Sequence, residues 1–325
     1  MRTLWPVEKI YHFFVTTKNL LYDRKLLWPI QLKFPVVSVG NISFGGAGKT
    51  PFIIFLAQEL AADSKVSVVT RSYKTPLSEP RKVNLQEADA AAIFGDEACL
   101  LQLKLPGCNV WSGPNKASTA AASTIHQPDV ILVDDGFSHR KLKRNFDLVL
   151  IDATFGLDDY LREPSGNLKR AHAVVITKAN LVKPSIVSQI QKEILGLSPK
   201  LANNIFISEV KTQLAVSQAA PLLVFCGLAK PKTFVLDLQQ QGYSIVQQIF
   251  YPDHFSYSLS AQQKIFDQYV KLKRSQPELK MVTTEKDFIK ITLPALKENL
   301  NITEHRISMA AGQKEVLLEK IRQTL

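Results

Sequence analysis

The 325-residue chain is poor in cysteine and has no long apolar run. Its three cysteines, Cys99, Cys108 and Cys226, are an odd number, lack the spacing of a metal site and lie in apolar stretches. We interpret them as reduced core residues of a cytosolic protein. No segment reaches the roughly 20 apolar residues that a spanning helix needs. Charged and polar residues also interrupt the first apolar run, so neither a spanning helix nor a secretory signal is expected.

The sequence also lacks Gly/Ser, Gln/Asn and Pro tracts, so extensive disorder is not expected. Acidic residues are the scarcer charge: 29 Asp and Glu against 40 Lys and Arg give a formal net charge of +11. Such an excess favours anionic partners, namely a nucleotide, a phosphorylated substrate, an anionic membrane or nucleic acid. Because the chain has no RNA-binding signature, zinc finger or basic helix with heptads, nucleic acid is not expected as a partner.

Short β-branched runs, each followed by a helix-like segment, recur after Pro35. They are VVSVG (36–40), VSVVT (66–70), CNVW (108–111), VILVDD (130–135), LVLIDA (148–153) and AVVIT (173–177). The alternation predicts an α/β fold with a doubly wound, mostly parallel sheet. Beyond about residue 177 the alternation of strand-like and helix-like segments starts again, which indicates a second, smaller α/β lobe. We expect a larger first domain over residues 1–176 and this lobe over residues 177–325, with binding residues at the carboxyl ends of the strands.

The N-terminal segment, residues 1–33, places apolar side chains at helical spacing among basic ones, with Trp5 and Trp28 near its ends. One interpretation is a helix packed on the protein's own core. The other is a helix in a membrane interface, where Trp, Phe and Leu enter the acyl boundary and Lys and Arg meet lipid phosphates. The residues alone leave both open.

The strongest motif, VVSVGNISFGGAGKTP, is a strand that runs into a glycine-rich loop. Glycine allows the backbone angles that point N–H groups at phosphate oxygens. Ser43 stands at the first glycine position of GxxxxGK[ST], but strand, loop and helix follow in the required order. In such a P-loop Lys49 reaches the β- and γ-phosphates and Thr50 ligates Mg²⁺. The predicted nucleotide contacts are Gly45, Gly46, Ala47, Gly48, Lys49 and Thr50.

The run from Asp129 to Asp135 contains an apolar strand that ends in the carboxylates Asp134 and Asp135. This pattern is typical of a Walker B element, which holds Mg²⁺ directly or through water. Asp152, at the end of LVLIDA, is a competing candidate. A strand-end aspartate is also often a helix cap or loop residue, but a pair in a chain with a P-loop favours a metal-linked role for Asp134 and Asp135.

Ordered landmarks between residues 36 and 290 resemble those of the tetraacyldisaccharide 4'-kinase (lipid A 4'-kinase) family. They are GN-x3-GG-x-GKTP, GDE (95–97), DDG-x2-HR-x-L (134–142), LREP (161–164), FCGLAKP (225–231), PDHF (252–255) and TEKD (284–287). The resemblance implies transfer of the γ-phosphate of ATP, with Mg²⁺, to the 4'-hydroxyl of an acylated glucosamine disaccharide 1-phosphate. The resemblance further implies that this lipid A precursor lies at the cytoplasmic face of the bacterial inner membrane. The basic N-terminal segment is then expected to dock on that anionic surface, and the enzyme is expected to be a monomer.

The resemblance also implies catalytic residues. Lys49 and Asp135 belong to the phosphate and metal machinery. Asp96 is the candidate base for the acceptor hydroxyl's proton, although an aspartate at a helix start is also a common N-cap. His139 would orient a carboxylate or the proton path. His254 would reach the nucleotide when the lobes close, or is a surface or capping histidine.

Further contacts follow from the same resemblance. Tyr73 is expected at the nucleotide, and the expected substrate contacts are Arg71, Arg162 and Glu163. The chain departs from the family pattern at residues 70–74, where two glycines are replaced by Ser72 and Lys74, and at residues 158–160, where a stretch is shortened. Ser138 replaces the usual Gln, so the chain resembles a divergent member.

Two other classes share part of the pattern. A membrane-associated switch ATPase of the Min/Par type needs a lysine directly before the two glycines, where this chain has Phe44. A GTPase is suggested by residues 177–180, which are close to the guanine-reading TKxD. Asn180, however, lacks a carboxylate that accepts both guanine N–H groups. A kinase is therefore the expected function.

Overall fold

A computed structural model describes residues 5–43, 47–72, 75–157, 162–228, 231–253 and 255–325. The chain forms two compact units, Met1–Val210 with Ile307–Leu325, and Lys211–Arg306. The sequence places the division at residue 177. The first unit continues to Val210 because the strand Ile205–Leu214 still pairs with the sheet of this unit. The helix Ala311–Arg322 also belongs to the first unit.

The strands are short and mostly follow the apolar runs of the sequence. In chain order they are β1 Val36–Asn41, β2 Val66–Arg71, β3 Arg81–Lys82, β4 Asn109–Gly113, β5 Val130–Asp134, β6 Phe146–Asp152, β7 Ala173–Thr177, β8 Ile205–Leu214, β9 Leu222–Cys226, β10 Ile245–Phe250, β11 Lys280–Thr284 and β12 Leu300–Met309.

The helices connect these strands. In chain order they are α1 Trp5–Asp23, α2 Lys49–Leu60, α3 Ala90–Phe94, α4 Asp96–Lys104, α5 Lys116–Ser123, α6 Pro184–Leu197, α7 Pro231–Gln240, α8 Leu259–Ser275, α9 Glu285–Phe288, α10 Pro294–Lys297 and α11 Ala311–Arg322. Short 3₁₀ turns lie at Thr124–His126, Ser165–Arg170, Ala179–Leu181 and Pro199–Leu201.

The sheet of the first unit has the order β8-β7-β6-β1-β5-β2-β4-β3. Its paired strands are parallel except for the short antiparallel edge strand β3. Every residue of β1, β5, β6 and β7 is buried, because helices cover both faces of the sheet. The predicted mostly parallel α/β fold is therefore confirmed. Since β1 lies between β5 and β6, the loops after these strands meet at one edge.

The strands of the second unit pair in parallel, in the order β10-β9-β11-β12. Its core lies between β9, β11 and helix α8 and includes Phe225, Tyr257 and Ile265. The chain passes from the first unit to the second within β8 and returns within β12. No helix among the described residues has the length and apolar character needed to cross a membrane.

Candidate active site

The described end of the P-loop enters helix α2 at Gly48. Gly48 has φ 76°, a left-handed conformation that favours glycine, and Lys49 is the first residue of the helix. Pro51 stands in the first turn, where its missing N–H leaves no hydrogen bond unmade. The Thr177 hydroxyl donates to the Ala47 carbonyl at 3.1 Å and ties the loop to the end of β7. Gly45 and Gly46 lie outside the described residues.

Three cationic side chains surround the carboxylate of Asp135, directly after β5. Arg162 donates to both oxygens, at 2.5 and 2.7 Å. The Nζ atoms of Lys49 and Lys116 lie 3.7 and 3.6 Å from these oxygens. Lys49 also donates to the Asn41 side-chain oxygen at 3.0 Å. The sequence predictions Lys49, Asp135 and Arg162 therefore meet in one cluster at the carboxyl ends of β1 and β5.

The charge of Asp135 is fixed by this cluster. Burial alone would raise the pKa of the Asp135 carboxyl, but hydrogen bonds from Arg162 and the charges of the two lysines lower it more. The pKa therefore lies well below its usual range, and Asp135 is an anion at physiological pH. Its φ of 52° is unusual for a non-glycine residue, and such backbone strain clusters at functional sites.

Asp134 differs from its neighbour in having few polar partners. The Thr70 hydroxyl donates to its Oδ2 at 2.9 Å, whereas Oδ1 is buried without a hydrogen-bond partner among the described residues. Burial, together with the nearby charge of Glu97, raises the pKa of Asp134 to about 6. A buried oxygen without a partner is costly, and a bound cation would satisfy it.

These donors fit Mg²⁺, which is held through one or two carboxylates, waters and substrate phosphates rather than by a closed protein cage. Within the described ranges, no group of three or more His, Cys, Asp and Glu side chains is placed to hold a metal. The Asp134 carboxylate and the Thr50 hydroxyl at the start of α2 are oxygen groups of the kind that this ion prefers. Asp135 is adjacent to Asp134, but its carboxylate already pairs with Lys49, Lys116 and Arg162.

Asp152, the alternative metal ligand, is already satisfied. Its Oδ2 pairs with Lys178 at 2.5 Å, and its Oδ1 accepts from the Thr154 backbone and hydroxyl at 2.9 and 2.6 Å. Asp152 is also buried. The structure thus favours Asp134 over Asp152 as the metal-linked residue.

Lys116 is a site residue that the sequence analysis missed. It is the first residue of α5, is buried, and donates from Nζ to the Asp135 carbonyl at 2.6 Å. Burial lowers the pKa of Lys116, partly offset by the charge of Asp135. A lysine in the first turn opposes the helix dipole, which favours anions there. A lysine at this position, shortly after the carboxyl end of β4, is the feature of the sequence that could have indicated a site residue.

We expect Lys116→Met to lower kcat/KM by at least about tenfold, because it removes a desolvated cation from the site while keeping the length of the side chain. Lys116→Arg, which retains the charge, should lose less. The melting temperatures of both variants should remain close to that of the parent. Steady-state kinetics with both substrates varied measure the effect, and unchanged kcat/KM in Lys116→Met would remove Lys116 from the site.

Asp96 is the first residue of α4, and Gly95 holds the N-cap position with φ 92°. The N-cap of α4 is therefore Gly95 and not Asp96. Asp96 is half-buried. The adjacent Glu97 lies close enough to Asp134 to raise its pKa, which brings the start of α4 near the end of β5. Arg71 is the exposed last residue of β2, and Tyr73 lies outside the described residues.

His139 and Glu163 are both placed near this cluster. Burial, reinforced by the charges of Lys116 and Arg144, lowers the pKa of His139 to about 4, so the ring is neutral at physiological pH. Glu163 is buried, and its Oε2 accepts from Arg170 and, at 2.8 Å, from Asn167. In this structure Glu163 thus anchors the turn that follows Arg162.

In the second unit, a buried carboxylate joins the landmark loops after β9 and β11. Asp287 accepts from the Gly227 backbone at 3.0 Å and from the Thr284 hydroxyl at 2.8 Å. Lys286 pairs with Asp253 at 3.2 Å, in the loop after β10. His254 lies outside the described residues. The landmarks FCGLAKP, PDHF and TEKD are therefore neighbours at the carboxyl edge of this sheet.

Comparisons with known proteins identify the family of the chain. The family model Tetraacyldisaccharide-1-P 4'-kinase matches residues 1–325. A tetraacyldisaccharide 4'-kinase of Bdellovibrio bacteriovorus is 33% identical over 305 residues, covering 89% of this chain and 88% of the relative. One of Halothermothrix orenii is 29% identical over 348 residues, covering 96% and 88%. The crystal structure of LpxK from Aquifex aeolicus in complex with ATP superposes with a TM-score of 0.76 at 24% identity, covering 99% of this chain and 98% of that one.

The match over the whole chain confirms the resemblance that the ordered landmarks indicated. The chain therefore belongs to the tetraacyldisaccharide-1-P 4'-kinase family, phosphotransferases of lipid A biosynthesis that act on an alcohol group.

Proposed function

We propose that this kinase, with ATP and Mg²⁺, phosphorylates its lipid acceptor in the cluster around Asp135, at the cytoplasmic face of the inner membrane. The observation that carries the proposal is the convergence of Lys49, Lys116 and Arg162 on one carboxylate beside the P-loop. This excess of cations suits the triphosphate. Phosphoryl transfer depends mostly on positioning and on stabilising the charge of the transferring group.

Each residue then has a physical task. Lys49 and Lys116 compensate the charge on the phosphates, and the Arg162 guanidinium binds two phosphate oxygens when it leaves Asp135. Asp134 and Thr50 would hold Mg²⁺, which would neutralise charge on the phosphate groups. Asp96 accepts the proton of the 4'-hydroxyl as the new P–O bond forms.

The remaining roles concern contacts rather than charge. We propose that Arg71 contacts the acceptor and that the buried Glu163 acts through the turn after Arg162. Tyr73 and His254 are proposed contacts of the nucleotide. His139 orients the carboxylates as a neutral ring. We further propose that the enzyme acts as a monomer.

The lipid-facing surface is the N-terminal segment. Phe14 and Trp28 are 65% and 76% exposed, and Leu20, Leu26 and Leu27 are exposed beside them. Basic side chains at Arg24 and Lys25 are also exposed. Exposed apolar side chains beside cations match an anionic membrane interface, in which we propose that the lipid acceptor resides. This supports membrane docking over packing on the protein's own core.

Replacing Phe14 and Trp28 together by serine should weaken binding to anionic vesicles and raise the KM for a long-chain acceptor. A short-chain soluble analogue should be spared, because only the membrane contact is lost. Co-sedimentation and kinetics with both acceptors measure these effects. Equal losses on both acceptors, with a lowered melting temperature, would instead show that these side chains stabilise the fold.

The proposed reaction is tested with purified protein, ATP-Mg²⁺ and a panel of acylated disaccharide phosphates, read by mass spectrometry. A phosphate-sized gain on the disaccharide 1-phosphate, located at the 4'-position by fragmentation, is the expected result. ATP hydrolysis without a mass gain on any acceptor would contradict it.

A further inference from the structure

The second half of helix α1 is tied to the loop that follows β5. The Arg140 guanidinium donates to the Asn19 carbonyl at 2.8 Å and pairs with Asp23 at 2.7 Å. It also lies over the Tyr22 ring, 5.1 Å from the centroid. One side chain thus makes three contacts with the last turns of the helix.

A second bond crosses the same interface. Lys18 donates from Nζ to the Ser138 carbonyl at 3.2 Å. Between these bonds, Asn19 is buried, and neither polar atom of its amide has a hydrogen-bond partner among the described residues. An unsatisfied buried amide is costly. A rearrangement of this interface that gave the Asn19 amide a hydrogen-bond partner would therefore lower the free energy of the protein.

Arg140 is only a few residues from the catalytic carboxylates. We call residues 135–140 the Asp135 loop. Its start is closely packed: a Cβ added at Gly136 would lie 2.8 Å from the Ser38 Cβ of β1. The Asp135 N–H donates to the Val39 carbonyl at 2.7 Å, and the His139 N–H donates to the Gly136 carbonyl at 2.9 Å. A short, tightly packed loop leaves little slack between Arg140 and Asp135.

We infer that Arg140 is a positioning residue that couples helix α1 to the Asp135 loop, so that docking of the helix on an anionic lipid surface raises turnover. The inference rests on the proposed membrane docking. The exposed apolar side chains of the N-terminal segment insert into the lipid surface. Lys18, Asn19 and Asp23 contact Ser138 and Arg140 of the Asp135 loop. Any free energy by which docking favours one arrangement of the helix is then shared with the loop through Arg140.

The test uses a short-chain soluble acceptor, with and without vesicles of phosphatidylethanolamine and phosphatidylglycerol that contain no acceptor. The vesicles present no substrate, so any rise in kcat reports coupling. The parent protein should be activated at least about fivefold, the lower end of typical couplings. Arg140→Gln and Asp23→Asn should bind the vesicles as the parent does in co-sedimentation but lose most of this activation.

A matched control is the ion pair between Arg322 and Asp63, 2.8 Å apart in the same unit and away from the Asp135 loop. Arg322→Gln and Asp63→Asn should retain the full activation. Asp23 is exposed, so Asp23→Asn remains informative if Arg140→Gln is unstable. Melting temperatures separate general destabilisation from the loss of activation.

The outcomes are distinct. Vesicle-bound parent protein without activation, or activation that survives in both Arg140→Gln and Asp23→Asn, would overturn the coupling and leave the proposed reaction standing. A parent protein that does not bind the vesicles would overturn membrane docking and the coupling with it. Absence of turnover on every acceptor would overturn the proposed reaction itself.

Discussion

Lys49→Ala is expected to lower kcat at least about a hundredfold, because it removes the cation that compensates charge on the transferring phosphate. The fold should survive. Lys49 is partly exposed at the start of α2, and its two polar contacts, Asn41 and Asp135, both belong to the site. Asp135 would keep its bidentate partner Arg162, so no buried anion is left unpaired.

Steady-state kinetics with saturating ATP-Mg²⁺ and acceptor, together with thermal unfolding, measure this effect. Lys192→Ala, which removes an exposed lysine on α6, is the matched control and should keep the parent rate. Retention of more than about a tenth of kcat in Lys49→Ala would contradict the P-loop assignment.

Asp96→Asn should also lower kcat at least about a hundredfold, while stability and ATP binding stay close to those of the parent. The amide has nearly the shape of the carboxylate but cannot accept the hydroxyl proton. A structural role alone has a smaller consequence: an acidic residue in the first helical turn contributes roughly 0.3–1 kcal/mol. The two explanations therefore differ in the quantity that changes, a rate or a melting temperature.

Asp89 provides the control for this second variant. It is the exposed N-cap of the neighbouring helix α3, makes no capping hydrogen bond through its side chain, and has φ 57°, which Asn tolerates. Asp89→Asn should leave kcat unchanged. A near-native kcat in Asp96→Asn would exclude the base, and Asp135 or substrate-assisted transfer would become the alternative.

Much of the first unit could be predicted because the positions and the burial of its strands follow from local pattern. Runs apolar on both faces correspond to the buried strands β1, β5, β6 and β7. Parallel strands bring their carboxyl ends to one edge, so Lys49 and Asp135 meet there although the sequence separates them widely. The ordered landmarks supplied Arg162, but its bidentate pair with Asp135 depends on a turn whose path no local pattern specifies.

Other features could not be read from the sequence. Lys116 looks like an ordinary surface lysine until the packing of α5 on β2 and β4 buries it. The division between units escaped prediction because β8 and β12 are ten-residue strands that belong to both. The first elements after residue 177, helix α6 and the start of strand β8, still belong to the first unit.

The return of the chain within β12 affects the order in which the protein can fold during synthesis. The second unit is an insertion, and helix α11, at the end of the described chain, completes the nucleotide-binding unit. Gln313 accepts from the Ile207 backbone at 2.8 Å, and Lys314 pairs with Glu59 of α2 at 3.2 Å.

Domains generally fold as they leave the ribosome, the N-terminal ones first. Here helix α11 is synthesised after the inserted unit, so the inserted unit is complete before the unit that carries the P-loop. A premature stop within α11 would therefore damage the unit that carries the P-loop and spare the inserted one.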